Sequence, residues 1–116
     1  HVDTTNMTPA LLSLFAPQVQ DYLIAILAID PVEAVRRARK QTLIVHGTTD
    51  IQVSMEDAKL LNRAPKTKLR LVNNMNHVLK EAPIERTANL ATYTDPSLPL
   101  ATDFMGQIED FIENND

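Results

Sequence analysis

At 116 residues the chain is long enough for one domain and too short for two. A hydrophobic share of 44% supports a buried core, and a net charge of −4 with both signs interspersed argues against a nucleic-acid surface. The absence of cysteine excludes a disulfide framework, a thiolate metal site and a cysteine nucleophile, while leaving the compartment open. Aromatic residues are few and no basic patch alternates with them, so no nucleic-acid partner is expected. The longest apolar run, YLIAILAI (Tyr22 to Ile29), falls well short of the ~20 residues that span a bilayer, and no signal peptide is visible. The chain opens on His1 rather than Met, which reads as a processed, truncated or tagged start.

Residues 1 to 8 are polar and expected to be loose. Thr8-Pro9 then starts a helix, with Thr as N-cap and Pro in the first helical position, and Pro17 ends or kinks it. A second helix follows in QVQDYLIAILAI. Val19, Tyr22, Leu23, Ile26 and Leu27 share one face, but Ile24 and Ile29 widen the stripe, so this helix needs partners on more than one side. Asp30-Pro31-Val32-Glu33 begins a third helix, with Asp30 as N-cap and Glu33 placed to reach back. Its Arg36-Arg37-Arg39-Lys40 cluster suits the C-terminal end of the helix dipole.

TLIVH has no polar alternation and predicts a strand covered on both faces. Ser54 and Asp57 then predict a capping box on a helix whose inner face carries Met55, Ala58 and Leu61. TKLRLVN predicts a second strand, so strand, helix and strand form a βαβ unit with a parallel pair. The stretch EAPIERTANLATYTDPSLPL, punctuated by Pro83, Pro96 and Pro99, reads as a long loop. DFMGQIEDFIE closes the pattern as a helix with Phe104, Ile108, Phe111 and Ile112 on one face, capped by Thr102 or Asp103. The fold class is α/β. Two strands are rarely stable alone, so the sheet is expected to be completed by a missing segment or a partner chain.

The residues that bear chemistry sit at the strand ends. Asp50 lies just past the carboxyl end of the first strand and His77, in NNMNHVLK, just past that of the second. In a parallel sheet both project from the same edge, where open α/β folds bind ligands. Adjacent strands lie ~4.8 Å apart, so the two loops can meet. An aspartate holding one imidazole nitrogen, leaving the other as general base, is two-thirds of a catalytic triad. Gly47 then lets the chain turn off the strand before Asp50. Taken singly, Asp50 is explained as a turn residue and His77 as a histidine without a task. His46 together with Asp50 and His77 is a further option as a metal site, although the local spacing typical of zinc ligands is missing. Met75, Asn76 and Val78 read as positioning His77, and Lys80 as a solvated charge.

LIVHGTTDIQVSMEDAKLL, NNMNHVLK and NLATYTDPSLPL resemble the C-terminal part of the serine α/β-hydrolases, in the serine aminopeptidase-like or lysophospholipase-like branch. LFAPQVQDYLIAILAIDP resembles the end of that group's helical cap. The resemblance implies residues 1–30 as cap helices and 31–116 as the C-terminal hydrolase segment. It implies Asp50 as triad acid, His77 as triad base, and a tail helix packed on the sheet. The chain departs from the family at the nucleophile. Gly47 and Gly106 are the only glycines, so no G-x-S-x-G elbow exists in this sequence. Ser54 is explained as a helix cap, Ser13 as a polar position in the cap region and Ser97 as part of a Pro-rich turn.

Two readings of function follow. The first is the C-terminal segment of a serine hydrolase that cleaves small acyl or ester substrates when complete and is inactive alone, with neither cofactor nor metal. The second is a non-enzymatic module that self-associates as a homodimer through a strand edge or the apolar helix. A weaker third keeps Asp50 and His77 as a general base acting on water or with a metal. Substrate choice and localisation are left open by the sequence.

Overall fold

The computed structural model describes residues 1–115, in the order α1 (Pro9–Phe15), α2 (Pro17–Leu27), α3 (Pro31–Ala38), β1 (Thr42–Gly47), α4 (Met55–Leu61), β2 (Thr67–Val72), α5 (Arg86–Ala91) and α6 (Phe104–Glu113). Strands β1 and β2 pair in parallel, from Thr42 beside Thr67 to Gly47 beside Val72. The crossover between them is α4, as the βαβ pattern requires. Alternation along β1 sends Ile44 and His46 toward α3 and α4, and Leu43 and Val45 toward α6. Helices therefore cover β1 on both faces, which is why its sequence lacks polar alternation. The core is small: Val72, Met75 and Ala101 are buried, with Val45, Leu79 and Phe104 packed against them.

The helix starts follow their capping chemistry closely. Ser54 Oγ accepts from Asp57 N–H (3.1 Å), and the Asp57 carboxylate accepts from Ser54 N–H (3.3 Å), closing the capping box. Asp30 caps α3 by accepting from Glu33 N–H (3.1 Å). The Glu33 side chain does not reach back, however. It pairs with Arg36 (2.6 Å) and Arg37 (2.8 Å), and the Arg36 hydrogen bond, followed by that of Arg37, pulls its carboxyl down to about 2. Pro17 does more than end α1: it opens α2, leaving a bend of 61° between them. Neither Thr102 nor Asp103 caps the start of α6, because the Thr102 hydroxyl is bound to Glu81 Oε1 (2.8 Å) and Asp103 makes no capping bond.

Two further expectations about the elements need correction. Residues 86–91 are helical, not loop. Glu85 provides the cap, its carboxylate accepting from Thr87 N–H (2.9 Å) and Ala88 N–H (2.8 Å). At the other end of the chain, the polar N-terminus is held. Gln20 is buried on α2, accepts from Val2 N–H (2.9 Å), and donates to Phe15 O (2.8 Å).

The wide apolar stripe of α2 is largely uncovered. Val19 and Leu23 are half-buried, whereas Tyr22, Ile24 and Ile26 are exposed and Leu27 is 80% exposed. The outer edge of β1 is also free among the described residues. Thr42 N–H donates to Lys66 O and Thr48 N–H to Val72 O, so by strand parity the amides of Leu43, Val45 and Gly47 point away from β2. The dimensions agree with this. The Cα radius of gyration is 17.7 Å, against about 13 Å for a compact chain of this length. The accessible surface is 8394 Å², against about 6,300 Å² for a monomer of this mass. No single helix among the described residues is long and apolar enough to cross a membrane; α1 and α2 reach that standard only as a bent pair.

Candidate functional site

The two loops beyond the strand ends are stitched together before any side chain is considered. Thr48 N–H donates to Val72 O (3.0 Å) and Thr49 N–H to Met75 O (3.1 Å), while Asn74 N–H donates back to Thr48 Oγ1 (2.9 Å). Gly47 makes this approach possible. A Cβ at position 47 would stand 1.9 Å from Met75 O and 2.5 Å from Met75 C. Its φ is not positive, so the glycine is required by the neighbouring backbone and not, as the sequence suggested, by a sharp turn.

Asp50 and His77 meet across these loops. His77 Nδ1 lies 2.9 Å from Asp50 Oδ2. The Asp50 side chain is 6% exposed and that of His77 42%, so the acid is sheltered and the imidazole opens outward. The second carboxylate oxygen, Oδ1, accepts from Gln52 N–H (2.8 Å) and Val53 N–H (3.0 Å). Burial pushes the Asp50 carboxyl up, but the Val53 amide, His77 and the Gln52 amide together outweigh it and hold the group below its ordinary 3.8. An ionised Asp50 accepts only, so Nδ1 carries a proton, and in the neutral imidazole Nε2 is the nitrogen with the free lone pair. Nε2 makes no hydrogen bond among the described residues. A hollow of about 240 Å³ beside the pair is bounded by His46, Gly47, Asp50, Val53, Met75 and His77.

The loop that carries His77 is tightly closed. Asn76 is buried, and its Oδ1 accepts from Val78 N–H (3.2 Å) and Lys80 N–H (3.1 Å). Asn76 N–H in turn donates to Lys80 O (3.0 Å). Leu79 has φ 64, a left-handed conformation unusual for a branched apolar residue. It is held there because Leu79 O accepts from Ala101 N–H (2.8 Å) and the side chain packs on the core. Asn76, immediately before His77, and the Val78 amide, immediately after it, therefore close the turn that carries the imidazole.

Lys80 is not a solvated charge. Its Nζ donates to the backbone carbonyls of Thr92 and Asp95, fastening the segment after α5 to the His77 loop. Asn89, Thr92 and Tyr93 were not singled out by sequence. Asn89 is fully buried, and Tyr93 OH accepts from Gln52 Nε2 (2.9 Å). No local signal marks Asn89, because its partners are far away in the chain.

The three serines fall outside the site, whereas His46 borders it without joining the pair. Ser13 Oγ donates to Ala10 O (2.7 Å), Ser54 Oγ to Asp57 (2.8 Å) and Ser97 Oγ to Asp95 (2.6 Å), and none of the three bonds to His77. His46 is buried between the 240 Å³ hollow and a larger apolar one of about 340 Å³ beneath α3 and α4. Among the described residues no group of three or more His, Asp or Glu side chains is arranged to hold a metal ion. No family model, curated protein or solved structure matches this chain.

Proposed function

We infer that this chain is the C-terminal portion of a serine α/β-hydrolase, contributing the acid Asp50 and the base His77 to a site whose serine and oxyanion-hole amides come from another segment. The observation that carries the reading is the 2.9 Å contact between His77 Nδ1 and Asp50 Oδ2 at the carboxyl ends of two adjacent parallel strands. In the complete site, His77 Nε2 takes the proton of a serine hydroxyl as that oxygen attacks an acyl carbonyl, then passes it to the leaving group. Asp50 fixes the tautomer and stabilises the imidazolium. The substrates are small esters or related acyl compounds. The unpaired edge of β1 takes the next strand of the sheet, and α1 and α2 belong to a helical cap. This chain by itself is inactive in acyl transfer, since it lacks nucleophile and oxyanion hole.

The test is fluorophosphonate labelling of the purified chain and of material precipitated from its native source with an antibody to α6. Support is an adduct on a serine outside these 116 residues, lost in a His77→Gln variant, with none on the chain alone. An adduct on Ser13, Ser54 or Ser97, labelling that survives His77→Gln, or no adduct in either sample overturns the reading.

The exposed face of α2 favours a second reading, a self-associating module. The accessible surface exceeds that of a monomer of this mass by about 2,000 Å², an area in the range that stable interfaces bury. A mass that rises with concentration supports it, and a monomer at all concentrations excludes it.

A further inference from the structure

The acid and the base are each preceded by a residue tied to the same side chain. Asn89 Nδ2 donates to Thr49 O (2.8 Å), the carbonyl immediately before Asp50, and also to Pro83 O (2.8 Å). Asn89 Oδ1 accepts from Nδ2 of Asn76 (3.3 Å), the residue immediately before His77. Asn76 Nδ2 also donates to Thr92 Oγ1 (2.7 Å), one helical turn beyond Asn89. Asn89 is 0% exposed and both its amide hydrogens and its oxygen are engaged. Only a carboxamide satisfies this arrangement. A carboxylate would face two carbonyls, and an alkyl group would leave Thr49 O and Pro83 O without this donor.

We propose that Asn89 is a positioning residue that sets the relation between acid and base, acting as a buried clamp between the acid turn and the His77 loop. The proposal rests on the reading of Asp50 and His77 as an acid–base pair. Asn89 touches neither side chain. It holds the Thr49 carbonyl, one residue before the acid, and the Asn76 side chain, one residue before the base, so that the His77 ring meets Oδ2 through Nδ1 and keeps Nε2 outward. Helix α5 exists to present it: Glu85 caps the start, and the Lys80 ammonium holds the far end through Thr92 O.

The test reads the imidazole directly. Nitrogen-15 spectra of the full 116-residue chain, at a pH where imidazole is neutral, report the tautomer of His77. The wild-type chain is expected to show the Nδ1–H form. Asn89→Ala is expected to lose that preference and shift toward a mixture with the Nε2–H form. Ala58→Gly, a buried α4 substitution away from the clamp, is the control for general destabilisation and is expected to leave the tautomer unchanged. Should Asn89→Ala fail to fold, Thr92→Val removes one acceptor of Asn76 at nearly constant volume and is expected to give a smaller shift in the same direction. A tautomer unmoved in the clamp variant, or moved equally in the Ala58→Gly control, overturns the proposal. A wild-type chain without the Nδ1–H form removes the acid–base pair itself, and the clamp with it. Neither serine nor substrate enters the measurement, so the clamp and the fluorophosphonate result fail separately.

Discussion

Gly47 and Met75 are in backbone contact so close that no side chain fits between them, with Met75 O at 1.9 Å from the place a Cβ would occupy. Met75 is two residues before His77, so anything inserted at position 47 pushes on the base loop. Gly47→Ala is expected to cost about 3 kcal/mol, the upper end for overpacking, because the obstacle is backbone and cannot rotate away. Urea unfolding measures the cost. The same variant is expected to weaken the contact between His77 and Asp50, visible as a changed His77 ring spectrum.

The Asp50 carboxyl is held below its ordinary 3.8 in the folded chain. A carboxyl depressed by folding contributes stability above its unfolded value, and that contribution is lost as pH falls through the folded value. Asp50→Asn is therefore expected to destabilise the chain by about 2 kcal/mol near pH 7, in the range for hydrogen bonds to a charged group. The gap between wild type and variant should narrow as pH falls below 3.8. Denaturant midpoints measured from pH 7 down to pH 3 check the sign; a gap that widens in acid contradicts it.

Two caps of different chemistry can be compared. Ser54→Ala and Glu85→Ala each remove acceptors of helix N-terminal amides; the first is expected to cost about 1 kcal/mol and the second to destabilise α5 in the same direction. Only the second removes support from Asn89. Amide exchange is expected to speed up at Thr49 and Asn76 in Glu85→Ala and not in Ser54→Ala.

Leu27, 80% exposed, contributes little to the folded chain. Leu27→Lys is expected to change stability by less than about 0.5 kcal/mol, as surface substitutions do. If α2 buries its face against another molecule, the same change lowers the association constant. Sedimentation equilibrium of the two chains reads this, and equal masses at every concentration count against a role for this face.

Features set by neighbours in the chain were legible in the sequence. The Ser54–Asp57 capping box, the parallel βαβ order and the expected meeting of Asp50 with His77 rest on strand ends and short spacings. Features set by distant partners were not. Gly47 was marked as special for a turn, but its reason lies in Met75, which no local pattern reveals. Helix α5 was hidden because three prolines punctuate its surroundings and its cap is Glu85 rather than Ser, Thr, Asp or Asn. Glu33 had the position of a reciprocal cap, yet two arginines one turn on outcompeted the backbone amide. Lys80 resembled any surface cation until the carbonyls of Thr92 and Asp95 were brought to it.

The clamp also orders events in time. Asp50 and His77 stand 27 positions apart, and Asn89 reaches back 40 positions to Thr49. Such contacts form late, because the loops between them must close first and that entropy is recovered only when the far partners meet. During synthesis the acid and the base both leave the ribosome before the helix that braces them. Until residue 92 has emerged, the growing chain carries both side chains with no complete clamp to fix one against the other.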